Sequence, residues 1–133
     1  MTIKNLLFFT SILVTTLISS CKGEEKIDNC ISNELGYIYI VDSPSTGIVN
    51  ETITMKVFFS VNNGCGRFKK FITCENGNTR TIEVEAIYEG CICTDNVPTI
   101  EVEYRFIGRK LGDYLFKFKS SPTDFIAVPL TIN

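Results

Sequence analysis

Between Glu51 and Val61 the chain alternates without interruption. Ile53, Met55, Val57, Phe59 and Val61 fall on one side, and Thr52, Thr54, Lys56, Phe58 and Ser60 on the other. A period of two is the signature of a strand with one buried face, and it cannot place a continuous apolar stripe on a helix of 3.6 residues per turn. The pattern recurs. Ile82, Val84, Ala86 and Tyr88 alternate with Glu83 and Glu85 across Thr81–Tyr88, and Ile100, Val102, Tyr104 and Phe106 alternate across Thr99–Ile107. Tyr114, Phe116 and Phe118 do the same in Tyr114–Lys119, and Ile126, Val128, Leu130 and Ile132 in Phe125–Ile132. Two further strands fit Gly36–Val41 and Arg67–Cys74. Pro129 withholds a ladder donor, so the last strand belongs at an edge or carries a bulge.

Turn residues separate these segments, notably Asn62-Asn63-Gly64, Asn76-Gly77 and Ser120-Ser121-Pro122. An Asn76-Gly77 hairpin in its simplest register pairs Phe71 with Ile82 and Lys70 with Glu83. Phe68 then has the wrong parity, which predicts a bulge near Lys69. The reading is all-β. Seven short strands in this spacing resemble an immunoglobulin-like, specifically fibronectin-III-like, β-sandwich, with Leu111-Gly112-Asp113-Tyr114 similar to a strand entry carrying a corner tyrosine. That resemblance implies strands 1, 2 and 5 in one sheet and 3, 4, 6 and 7 in the other. It also keeps Glu83/Glu85 and Glu101/Glu103 on different sheets, which avoids setting like charges opposite each other.

The first twenty residues read differently. Lys4 precedes an uncharged apolar run over Leu6–Ile18, too short for a membrane span and suited to a cleaved signal peptide over residues 1–20. Ile18-Ser19-Ser20-Cys21 resembles a bacterial lipobox. The resemblance implies lipid chains on Cys21, enough for stable anchoring without a spanning segment. Lys22-Gly23-Glu24-Glu25-Lys26 is similar to the Lys-plus-acidic tag of Bacteroidetes surface lipoproteins. The implied organisation is a leader (1–20), a lipidated flexible tether (21–34) and a sandwich domain (35–133). The implied location is the outer membrane of a bacterial envelope, with surface exposure.

Six cysteines occur, and setting aside Cys21 leaves Cys30, Cys65, Cys74, Cys91 and Cys93. Alternating strand directions bring Cys30, Cys65, Cys91 and Cys93 to one pole and leave Cys74 at the other. Cys30 and Cys65 would each take one partner from Cys91-Ile92-Cys93, since a Cys91–Cys93 bond closes a strained ring. The competing readings are a thiolate metal site of Cys65, Cys91 and Cys93, and a redox-active pair.

The chain has no His, which excludes a Ser-His-Asp triad, a Cys-His pair and His-ligated metals. Its net charge of −2 gives no basic excess for nucleic acid. The carboxylate pairs Glu83/Glu85 and Glu101/Glu103 point to solvated faces rather than a catalytic cleft. No enzyme, cofactor or resident metal is therefore expected. The expectation is a non-catalytic binding or adaptor domain for an envelope protein or glycan. Its recognition surface would be the cysteine pole, where loops 62–67, 89–97 and 120–124 converge, with Arg67, Phe68 and Tyr88 as contact candidates. The alternatives are a sandwich-type protease inhibitor using the same loops, a thiolate metal-binding lipoprotein, and a structural adaptor docking through Phe58, Ile87, Ile107 and Leu115.

Overall fold

A computed structural model describes residues 30–133; the expected leader over 1–20, the expected lipidation site Cys21 and the expected tether as far as residue 29 lie outside the described residues. The described chain forms eight strands and no helix: β1 (Ile31–Asp42), β2 (Thr46–Gly47), β3 (Thr52–Ser60), β4 (Gly66–Asn76), β5 (Thr79–Glu89), β6 (Thr99–Ile107), β7 (Gly112–Lys119) and β8 (Phe125–Ile132). Seven coincide with the periodic segments of the sequence. The eighth, β2, is two residues long and runs parallel to Thr131 and Ile132 of β8, too short to leave a periodic trace.

The strands form an immunoglobulin-like sandwich of two layers. One sheet contains the second half of β1, then β3, then β6, all antiparallel. In the other, β5 lies between β4 on one side and both β7 and the first half of β1 on the other, with β8 and β2 beyond β7. Sheet membership follows the expected partition. The neighbour relation does not follow a purely antiparallel order. β5, not β4, lies beside β7, and the pair is parallel because both strands run toward the cysteine pole.

β1 begins at Ile31, so residues 31–34 belong to the domain and not to the tether. They pair with Glu89–Ala86 of β5, and at Gly36 the strand leaves β5 for β3. A Cβ at Gly36 would lie 2.7 Å from the Phe59 ring, so the crossing needs a residue without a side chain.

The core is the apolar side of each alternating segment. Met55, Val57, Phe59 and Val61 of one layer and Ile82, Val84, Ala86, Phe116 and Phe118 of the other are fully buried. Rings interlock between the layers. Tyr104 lies 6.1 Å from Phe116 and 5.8 Å from Phe118, and Phe106 lies 4.9 Å from Phe116, all edge-on, the arrangement that ring quadrupoles favour.

Two local features refine the sequence reading. The β4–β5 hairpin turns at Gly77-Asn78, with Asn76 opposite Thr79. Gly77 has φ +61° and no other residue of the turn has positive φ, which fits a type II′ turn with Gly first. Phe71 therefore faces Val84 and Lys70 faces Glu85, two positions from the simplest register. A shift of two preserves the faces, so the apolar residues stay inside. The bulge between Phe68 and Lys70 is where parity demanded it. It also blunts the open edge of β4 beside Lys69 and Lys70, a protection common on edge strands. Pro129 sits on β8 outside the reach of β2, where its missing N–H costs no ladder bond.

Candidate functional site

β5 ends at Glu89 and β6 starts at Thr99, so the intervening loop closes the sandwich at one pole. β1 starts and β3 ends at the same pole, which brings residues 30, 62–65 and 90–98 together. Disulfides Cys30–Cys91 (Cα–Cα 5.0 Å) and Cys65–Cys93 (Cα–Cα 5.4 Å) join the three segments. Each of Cys30 and Cys65 takes one member of the Cys91-Ile92-Cys93 triplet, as expected from the shared pole and the strained ring that a Cys91–Cys93 bond would close. With Cys65 bonded to Cys93 and Cys91 to Cys30, none of Cys65, Cys91 and Cys93 offers a thiolate to a metal, which removes the metal site expected of these residues. Among the described residues no group of three or more ligating side chains gathers elsewhere. Cys74 is free and exposed near the far end of β4.

Backbone bonds tighten the pole. The Gly90 N–H donates to the Cys30 carbonyl (3.1 Å) and the Gly64 N–H to the Thr94 carbonyl (3.0 Å). The Cys65 N–H donates to Asn63 Oδ1 (2.9 Å). Two polar contacts fasten β1 to its surroundings: Asn62 Nδ2 donates to Glu34 (2.7 Å) and Lys69 Nζ to Asn33 Oδ1 (3.1 Å). A shallow depression of about 280 Å³ lies beside the disulfides, lined by Cys30, Ser32, Glu34, Asn63, Tyr88 and Cys93.

The three contact candidates separate. Tyr88 is buried, and its hydroxyl accepts the Asn62 N–H at 2.8 Å. Phe68 packs against the core, with ring centroids 6.1 Å from Phe59 and 4.9 Å from Phe71. Both are packing residues, because they point inward from the strands that carry them. Arg67 alone presents its side chain at the surface, in an ion pair with Glu89. The loop over residues 120–124 does not reach the pole. β7 has only eight residues and its last partner on β5 is Ile82, so its turn stops near the middle of that strand, where β1 takes over the pairing.

The pole exposes residues other than the three contact candidates. Ile92, between the two bonded cysteines, is 95% exposed, and Val97 on the same loop is 62% exposed. An apolar residue fixed on both sides and facing water was visible as an Ile inside a Cys-x-Cys loop, but spacing alone gave it no direction.

The carboxylate pairs lie on the outer faces in ion pairs. Glu83 meets Lys119 (2.7 Å), Glu85 meets Lys69 (3.3 Å), Glu101 meets Lys56 (3.4 Å) and Glu103 meets Arg105 (2.9 Å). At the opposite pole Pro44, Thr46, Ile48, Glu51, Thr54 and Asn133 border a wider depression of about 540 Å³.

A family model described as the ORF11 beta-sandwich domain matches residues 55–126. No curated protein and no solved structure matches the chain.

Proposed function

The chain belongs to the ORF11 beta-sandwich domain family, and from that footing we propose that it is a non-catalytic binding or adaptor domain, held by lipid on Cys21 at the outer membrane of a bacterial envelope and exposed at the cell surface. The leader, Ile18-Ser19-Ser20-Cys21 and the acidic-basic stretch after it support the anchor and the Bacteroidetes-like address. The observation that carries the binding role is the construction of the poles. Connecting segments at one end are locked by two disulfides, and loops at the other surround a depression, while the paired carboxylates are engaged by Lys and Arg on open faces. A rigid sandwich that displays fixed loops suits recognition. Envelope proteins and glycans are the partner classes this location offers.

A cross-linking pull-down with the acylated chain in native membranes tests the role. One partner recovered in fixed stoichiometry, and lost on substitution at a single pole, supports it. A chain that cross-links to nothing at either pole contradicts it. A second reading, protease inhibition, is favoured by Ile92, an exposed apolar side chain held rigid on both flanks, as a plug for a specificity pocket. Stoichiometric inhibition abolished by Ile92→Asp would carry that reading instead.

A further inference from the structure

We infer that the cysteine-locked pole docks on the lipid surface itself, with Ile92 and Val97 seated in the bilayer interface, and that the opposite pole is left to partners. The inference rests on the Cys21 anchor proposed above and adds an orientation to it.

The first support is where the outlying segment ends. Only nine residue steps separate Cys21 from Cys30, a span of at most about 30 Å when fully extended. β5 alone, with 11 residues, covers about 35 Å from pole to pole. A tether of that reach entering at the cysteine pole confines this pole to within about 30 Å of the anchoring residue, less than the length of the domain, and puts no such limit on the other pole. The second support is covalent. Cys30, where the tether enters, is bonded to Cys91, the neighbour of Ile92. The anchor's end and the exposed apolar tip are thus one fixed unit, and at such a short tether length the tip meets lipid at high effective concentration.

The third support is chemical. Ile92 is almost wholly exposed and Val97 mostly so, and their apolar surface is of the kind that an interface accepts. Charge does not draw the pole to lipid, since Arg67 is paired with Glu89, and Asp95 and Glu34 add negative charge nearby. Contact is made by the tip and the tether. On this orientation Ile48, Glu51 and the 540 Å³ depression face outward from the membrane.

The chain has no Trp, so a single introduced indole reports its own surroundings. The experiment uses the acylated full chain, reconstituted in phosphatidylethanolamine–phosphatidylglycerol vesicles with brominated acyl chains. It compares Ile92→Trp with Ile48→Trp, both at exposed positions, with circular dichroism confirming that each variant is folded. The expected result is emission shifted to shorter wavelength and quenched by bromine for Ile92→Trp, and neither for Ile48→Trp. If both acylated variants sediment with vesicles and neither is quenched, the docking is overturned while the anchor stands, and the tip is free for a protein such as a protease. If the chain carries no acyl mass and does not sediment, the anchor fails and the orientation falls with it.

Discussion

Cys30 is bonded to Cys91 across 61 positions of the chain, so the residue at which the described domain begins is fastened to the loop between its two sheets. Cys65–Cys93 closes a shorter interval of 28 positions in the same cluster. The two bonds convert three connecting segments into one rigid end.

Their removal should cost different amounts. Loop-closure entropy assigns about 4.3 kcal/mol to the longer interval and about 3.6 kcal/mol to the shorter. Replacing Cys30 and Cys91 together by Ser should lower the urea midpoint more than replacing Cys65 and Cys93. Cys74→Ser should leave it unchanged, because that side chain is exposed and unbonded.

Adjacent aromatic residues on β3 should behave as opposites. Phe59 is fully buried against Phe68 and Phe58 faces outward, partly covered. Phe59→Ala should destabilise by about 3–5 kcal/mol, and Phe58→Ala by about 1 kcal/mol. Denaturant titrations of both variants check the assignment of faces.

Tyr114 donates its hydroxyl proton to the Lys110 carbonyl at 3.0 Å, four residues upstream, and its ring is buried. This is the corner tyrosine anticipated from Leu111-Gly112-Asp113-Tyr114. Tyr114→Phe keeps the packing and removes the bond, so a loss of about 1 kcal/mol in equilibrium unfolding is expected.

Gly36 marks the residue where β1 changes sheets. Gly36→Ala drives a methyl into the Phe59 ring and should cost about 1–3 kcal/mol. The loss should shrink in a Phe59→Leu background, where the ring is gone. A double-mutant cycle measures that coupling.

Much of this architecture was legible because alternation is a physical demand. A strand between water and core must switch character at each residue, so Ile53–Val61 declared both its structure and its faces. The gathering of Cys30, Cys65, Cys91 and Cys93 at one pole was legible because successive strands reverse direction. The choice of Cys91 rather than Cys93 as the partner of Cys30 was not, since two residues separated only by Ile92 on a loop share the same pole. Three further things were not. Residues 31–35 are exposed throughout, held by backbone bonds to β5, and so carry no burial pattern. The hairpin register depended on whether Gly77 stood first or second in its turn, a backbone choice that side-chain alternation does not encode. The level of the turn after β7 depended on strand lengths, eight residues against 11 for β5, and boundaries are the weakest part of any pattern. At the pole, the aromatic character of Tyr88 and Phe68 serves packing, whereas exposure belongs to Ile92, which lies between the two disulfides.

The most direct test is an intact-mass measurement of the chain extracted from membranes, alkylated without reductant. The expected result is a chain that begins at Cys21, carries acyl mass there and takes up alkylating agent at Cys74 alone. A chain retaining residues 1–20 or lacking acyl mass, or one alkylated at Cys30, Cys65, Cys91 and Cys93, would contradict it.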